Sequence, residues 1–167
     1  GYFPSLPPDS AEMFAKIKEL PGDTVLSLPF CIAGANGLCT AAQCPGYPRA
    51  TVGHCTRLFH DKKVYGSYTS RMLEEDCALY RRTPYQGWHA AWRENRCFGD
   101  NDWQGLCAHL RAQPNISAVL VLPDVWKAAA EPECAAQLEA HLGPPLQEIT
   151  LPTDRACVGG TGGEPIR

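Results

Sequence analysis

The sequence predicts an α/β domain: a small mixed, largely parallel sheet flanked by helices and carrying a disulfide-stapled loop. Three observations predict it. Apolar runs such as DTVLSLPF and ISAVLVLP are strand-sized, and they alternate with segments whose apolar residues recur every three or four positions. The last third reads strand, helix, strand, and a crossover of that kind joins parallel neighbours with a right-handed connection. Nine cysteines in 167 residues are scattered rather than paired as C-x-x-C, a pattern that favours disulfides in an oxidising compartment over a zinc ribbon.

The elements follow in order. Residues 1–8 are Pro-rich and extended, a linker or lead-in to a single domain over 9–155, and 156–167 is a flexible Gly-rich tail. A helix is expected over 9–20, with Asp9 as cap, Glu12 as its capping-box partner, and Met13, Phe14, Ile17 and Leu20 on one face. Pro21-Gly22 ends it, and a buried strand runs over 24–28. Residues 31–49 read as loop, punctuated by Gly34, Gly37, Pro45, Gly46 and Pro48. The 51–59 segment fits helix or strand equally. HDKK reads as a turn, and 64–69 reads as extended. Ser70 is placed to cap a helix reaching about 82, with Leu73, Cys77 and Tyr80 on one side, and Pro84 breaks it. A helix over 85–97 sets Trp88 and Trp92 one turn apart. Asn101 caps the next, in which Trp103, Leu106, Cys107 and Leu110 share a face. A strand is expected at 116–123. Pro132 suits the first turn of a helix ending at Gly143, and a last strand is expected at 146–151.

Composition narrows the function classes. Hydrophobic residues make up 44%, charged residues 20%, and the net charge is −3, which is a globular balance. A mildly acidic chain lacks the basic field that nucleic acid demands. No apolar run approaches the ~20 residues of a membrane span. The abrupt opening on GYFPSLPP, without Met or leader, reads as a mature chain or an excised domain.

Nine is an odd number, so at most four bridges form and one thiol is left over. Cys31, Cys39, Cys44 and Cys55 lie in a Gly-rich loop with few other means of being held, and they are the disulfide candidates. The competing use of such cysteines is as small buried hydrophobes. Cys39, Cys44, His54 and Cys55 also offer four nitrogen and sulfur donors. Their spacing matches no usual zinc knuckle, and no metal and no cofactor are expected. IAGANGLC lacks the GxGxxG spacing of a phosphate cradle and reads as a surface loop.

Catalytic patterns are weak. Glu74, Glu75 and Asp76 are adjacent on a predicted helix, so they point in different directions and read as a solvated face. No G-x-S-x-G elbow is present. Trp88, His89, Trp92 and Trp103 fit a sugar-stacking platform or, at helical spacing, a core. Asn115-Ile116-Ser117 is a sequon abutting a predicted strand. Within FHDKKVYGSYTSR, a turn leads into an extended run and then a helix start. The Arg71 guanidinium there suits bidentate binding of a carboxylate or phosphate, or an internal pair with Glu75 or Asp76.

Four stretches occur in order: IKELPGDTVLSLPF, RLFHDKKVYGSYTSR, LCAHLRAQPNISAVLVLP and LEAHLGPPLQEITL. Together they resemble the extracytoplasmic soluble domain that follows the membrane spans of bacterial GT-C type integral-membrane glycosyltransferases, which use polyprenyl-phosphate sugars. Gly22-Asp23 and Leu28-Pro29-Phe30 match the first motif; His60, Lys62, Gly66, Ser70 and Arg71 match the second. The run 119–123 matches the third, and Gly143-Pro144-Pro145-Leu146 the fourth. The sequence departs from the pattern at Arg57, Asp61 and Lys63, where Gln, Gly and Pro are usual, and in the cysteine-rich loop.

The resemblance implies a membrane-tethered, extracytoplasmic (periplasmic or cell-surface) domain that is non-catalytic, the catalytic acid lying in the membrane part. Its partners would be the membrane-embedded part of the same protein and a glycan or lipid-linked sugar, with no nucleic acid. It would assist acceptor binding or active-site organisation, with His60, Tyr65, Tyr68 and Arg71 as the ligand-surface candidates. The alternatives are a secreted, disulfide-linked binding module and a small cell-wall hydrolase. The last requires two carboxylates, or a Cys and a His, converging in a cleft.

Overall fold

The computed structural model describes residues 8–28, 30, 32–34, 56–69, 72–82, 84–121 and 131–145. Helix α1 (Pro8–Glu19) opens the fold and buries Met13, Phe14 and Ile17, the spacing that gives a helix one apolar stripe. Asp9 lies inside the helix rather than at its cap, because Pro8 occupies the first turn, where a missing N–H costs nothing. Glu12, expected in a capping box, pairs instead with Lys16 one turn on, at 2.7 Å.

Strand β1 (Thr24–Leu28) is buried at all five positions. It is the centre of a three-stranded sheet, with β3 (Lys63–Tyr65) on one side and β5 (Ile116–Val121) on the other, all parallel. Val25 faces α1, together with Leu120 and Phe59. Leu26 and Leu28 face the opposite way, into the larger core. Helices therefore cover both faces, as a buried parallel sheet requires.

A second, two-stranded ladder continues the first. β2 (Ile32–Gly34) pairs in parallel with β4 (Ser67–Thr69). Only Gly66 separates β3 from β4, whereas the first strand has the stretch between Leu28 and Ile32 to accommodate. Phe30, in that surplus, is fully buried over Gly66. Gly66 has φ +79°, and a Cβ there would stand 2.5 Å from the Phe30 ring, so only glycine suits the position.

The short α2 (Arg57–His60) resolves the helix-or-strand ambiguity of 51–59 for its last part. Helix α3 (Glu74–Tyr80) starts later than Ser70 predicts. Its first turn holds Glu74, Glu75 and Asp76, where negative charge meets free N–H groups, and the Asp76 carboxylate accepts the Leu73 N–H at 3.3 Å. Helix α4 (Tyr85–Arg93) ends early, and Asn95 turns left-handed beyond it. Helix α5 (Asp100–Ala112) is capped from Gly99, not Asn101, since Asp102 accepts the Gly99 N–H at 2.9 Å. Helix α6 (Pro132–Leu142) has Pro132 at its first turn and Gly143 at its end.

A disulfide joins Cys97, between α4 and α5, to Cys134 in the first turn of α6, with their Cα atoms 5.2 Å apart. Closing a loop of 37 residues stabilises the fold by about 4 kcal/mol through the unfolded chain. Cys77 is disulfide-bonded as well. The expected staple within Cys31, Cys39, Cys44 and Cys55, the sulfur and nitrogen set including His54, and the strand at 146–151 lie outside the described residues. Trp88, Trp92 and Trp103 are buried with His89, so these rings are core and not an exposed platform.

Candidate functional site

The segment 59–71 contributes to both ends of the sheet, and the two ends differ in kind. Where the strands begin, a polar clamp assembles. Lys62 is buried, and its ammonium donates to the carbonyl oxygens of Leu20 and Gly22, each at 2.7 Å. Those carbonyls follow the C-terminal end of α1, where a cation is favoured. Asp23 accepts from Lys63 Nζ and Thr24 Oγ1 at 2.8 Å each, and from Asn115 Nδ2 at 3.1 Å. These donors, Lys63 first, hold its carboxyl well below the usual range. The Asn115 carbonyl accepts the N–H groups of Asp23 and Thr24. Gly22 has φ +96°, and a Cβ on it would collide with that same carbonyl. The sequon is thereby accounted for: the Asn115 amide is engaged in the clamp and also donates to Thr24 Oγ1.

His60 belongs to this scaffold and not to a surface. It is fully buried, and the Lys62 N–H donates to its Nδ1 at 3.1 Å. Nδ1 is thus an acceptor, which puts the proton on Nε2, facing Thr56 Oγ1 at 3.1 Å. Burial, then the Lys62 charge, lowers its pKa to about 4, so the ring is neutral at physiological pH.

Where the strands end, the lining changes to aromatic hydroxyls. Tyr65 closes β3, and Phe30 lies just beyond β1. Tyr65, Tyr80 and Tyr85 surround Phe30 at centroid distances of 6.0, 5.9 and 5.3 Å, with Trp88 at 5.2 Å. The hydroxyls of Tyr65 and Tyr85 share a hydrogen bond of 2.9 Å. His109, from α5, sets its ring 5.4 Å from Tyr65 and 5.7 Å from Tyr85. Its buried Nε2 finds no hydrogen-bond partner among the described residues. Burial raises the pKa of Tyr65 and Tyr80 and lowers that of His109. Tyr65 and Tyr80 are thereby held as neutral phenols and His109 as a neutral imidazole.

The chain matches no family model, no curated protein and no solved structure.

Of the four surface candidates, Tyr65 sits in this array while His60 is in the clamp. Tyr68 lies in β4, one strand further along, paired with Ala33. The Tyr68 side chain and Arg71 lie outside the described residues. Sequence reasoning missed Tyr85 and His109 and treated Tyr80 only as a helix face. The available signal was chemical: a tyrosine buried in a core needs a partner for its hydroxyl. The described residues contain no cluster of three or more metal-ligating side chains. The array is suited to exchanging hydrogen bonds with a neutral, hydroxyl-bearing ligand, at the end of a parallel sheet where α/β folds place their ligands.

Proposed function

We propose that this chain is a non-catalytic extracytoplasmic domain of a membrane glycosyltransferase-like protein, and that it helps bind acceptor at the carboxyl end of its parallel sheet. The observation that carries the reading is the interlock of the motifs behind the family resemblance. Lys62 of the second motif holds the backbone of Leu20 and Gly22 in the first, and Asn115, ahead of the third, holds Asp23. With those residues engaged in building the scaffold, Tyr65, Tyr80, Tyr85 and His109 are the groups among the described residues that we assign to meeting a neutral sugar. The disulfides fit an oxidising compartment. They equally favour the second reading, a secreted binding module, and upstream membrane spans in the full reading frame would separate the two.

The test is a titration of the isotopically labelled chain with an acceptor glycan or a lipid-linked sugar. Resonances of Tyr65, Tyr80, Tyr85 and His109 are expected to shift, and the isolated chain is expected to transfer no sugar. Shifts confined to the Lys62–Asp23–Asn115 end would refute the placement.

A further inference from the structure

Helices α5 and α6 border a groove of about 310 Å³, lined by Asp100, Trp103, Gln104, Cys107, Arg111 and His141. That volume is at the lower end of small-ligand sites. Five of the six residues come from one stripe of α5, at the three- and four-residue spacings that align side chains along a helix. The apolar part is Trp103, buried, with His141 of α6 stacked on its face at 4.5 Å and 11°. The Trp103 indole N–H already donates to Gln137 Oε1 at 3.2 Å, so its ring is fixed. Cys107 follows one turn on and is a free, half-buried thiol. Charges of opposite sign flank the groove: Asp100 begins α5, and Arg111 stands in its last turn. Both are exposed, and neither has an ion-pair partner among the described residues.

The geometry points to a binding site for a short zwitterionic peptide, lying parallel to α5 with its ammonium at Asp100 and its carboxylate at Arg111. Eleven residues of helix rise about 16 Å. An extended chain covers at most ~3.6 Å per residue, so four residues reach about 14 Å and the charge-assisted contacts at the two ends, about 2.8 Å each, cover the remainder. The Gln104 amide carries both a donor and an acceptor, as a peptide bond demands. Between the ends the lining is the His141 ring, stacked over the buried Trp103, and the Cys107 thiol, which suits small side chains. A phosphate dianion fits less well, because Asp100 repels it, and a purely apolar segment leaves both charges unanswered. The groove is separate from the tyrosine array, so this site does not depend on the acceptor-binding reading.

Cys107 is a built-in reporter. The probe is tetra-alanine, and the readout is the rate of Cys107 alkylation by a maleimide, located by peptide mass mapping in the full chain. Tetra-alanine with both ends free is expected to slow alkylation saturably. Acetylating its amine or amidating its carboxylate is expected to weaken protection by about tenfold each, the loss of one charge-assisted contact. Asp100→Asn should erase the preference for the free amine, and Arg111→Gln the preference for the free carboxylate. Both positions are exposed, and circular dichroism checks that the fold is kept. Equal protection by the doubly blocked peptide, or no protection by the free one, overturns the proposal.

Discussion

At the start of the sheet the charged groups answer one another within the chain: Lys62 to two carbonyls, Lys63 to Asp23, Asn115 to both Asp23 and Thr24. At its end the polar atoms among the described residues are phenol hydroxyls and an imidazole nitrogen set among rings. The same thirteen-residue stretch that opens on Phe59 supplies both, sending His60, Lys62 and Lys63 to one end and Tyr65 to the other. A strand separates its ends in space even when its residues are neighbours in sequence. The difference teaches where to look for function: internally satisfied groups hold the fold, and incompletely satisfied ones are free to answer a ligand.

The largest expected effect comes from the junction between the two ladders, at the tyrosine end. Gly66→Ala puts a side chain on a left-handed residue and drives it into the Phe30 ring, which carries the tyrosines around it. Backbone strain and overpacking together should cost about 4 kcal/mol. Urea unfolding measures this, and a loss under about 1 kcal/mol would mean that Phe30 is not held against Gly66.

Acid should open the clamp end next. The unfolded chain takes up the His60 proton near the ordinary value of 6.5, while the folded chain resists until about 4. Stability from this residue is therefore complete above 6.5 and is lost as pH falls from there to about 4, by about 3 kcal/mol. His109, also lowered, acts in the same direction. His60→Gln should flatten most of the decline in urea midpoint across that window; an unchanged acid limb would remove His60 from the clamp.

The tyrosine end should show the opposite profile, with a small stability effect and a large functional one. Tyr65→Phe removes the hydroxyl pair with Tyr85 and should cost about 1 kcal/mol. It should nevertheless abolish the shifts induced by acceptor sugar, whereas His60→Gln leaves them in place at neutral pH. If both variants bind alike, the division between a structural and a ligand-facing end fails.

Much of the fold was legible because it rests on local signals. The apolar spacing of Met13, Phe14 and Ile17, the buried run 24–28, and Pro132 and Gly143 bounding α6 are written in short windows of sequence. Caps were less legible. Asp9, Ser70 and Asn101 all have the right chemistry, yet Asp9 lies inside α1 behind Pro8, and Leu73 and Gly99 cap α3 and α5, their N–H groups donating to Asp76 and Asp102. The candidate site was legible only in part. Tyr65 lies in the singled-out segment, but Tyr80, Tyr85 and His109 reach it from three helices, and no window of sequence shows that meeting. His60 misled for the same reason: a histidine in a charged turn reads as exposed until the buried Thr56 hydroxyl is seen beside it.

The smallest effect tests whether the clamp depends on charge at all. Lys63 and Asp23 meet at 2.8 Å, but their side chains are 71% and 55% exposed, so water and salt screen the pair. Lys63→Gln should barely move the urea midpoint, and whatever it does move should vanish in high salt. Asn115→Ala should cost more, because its amide bridges Asp23 and Thr24 across two strands with bonds that salt does not screen. If Lys63→Gln proved the more damaging of the two, and salt reproduced it, the clamp would be electrostatic. Its motif would then be a charged surface open to a ligand, and the two ends of the sheet would no longer differ in kind.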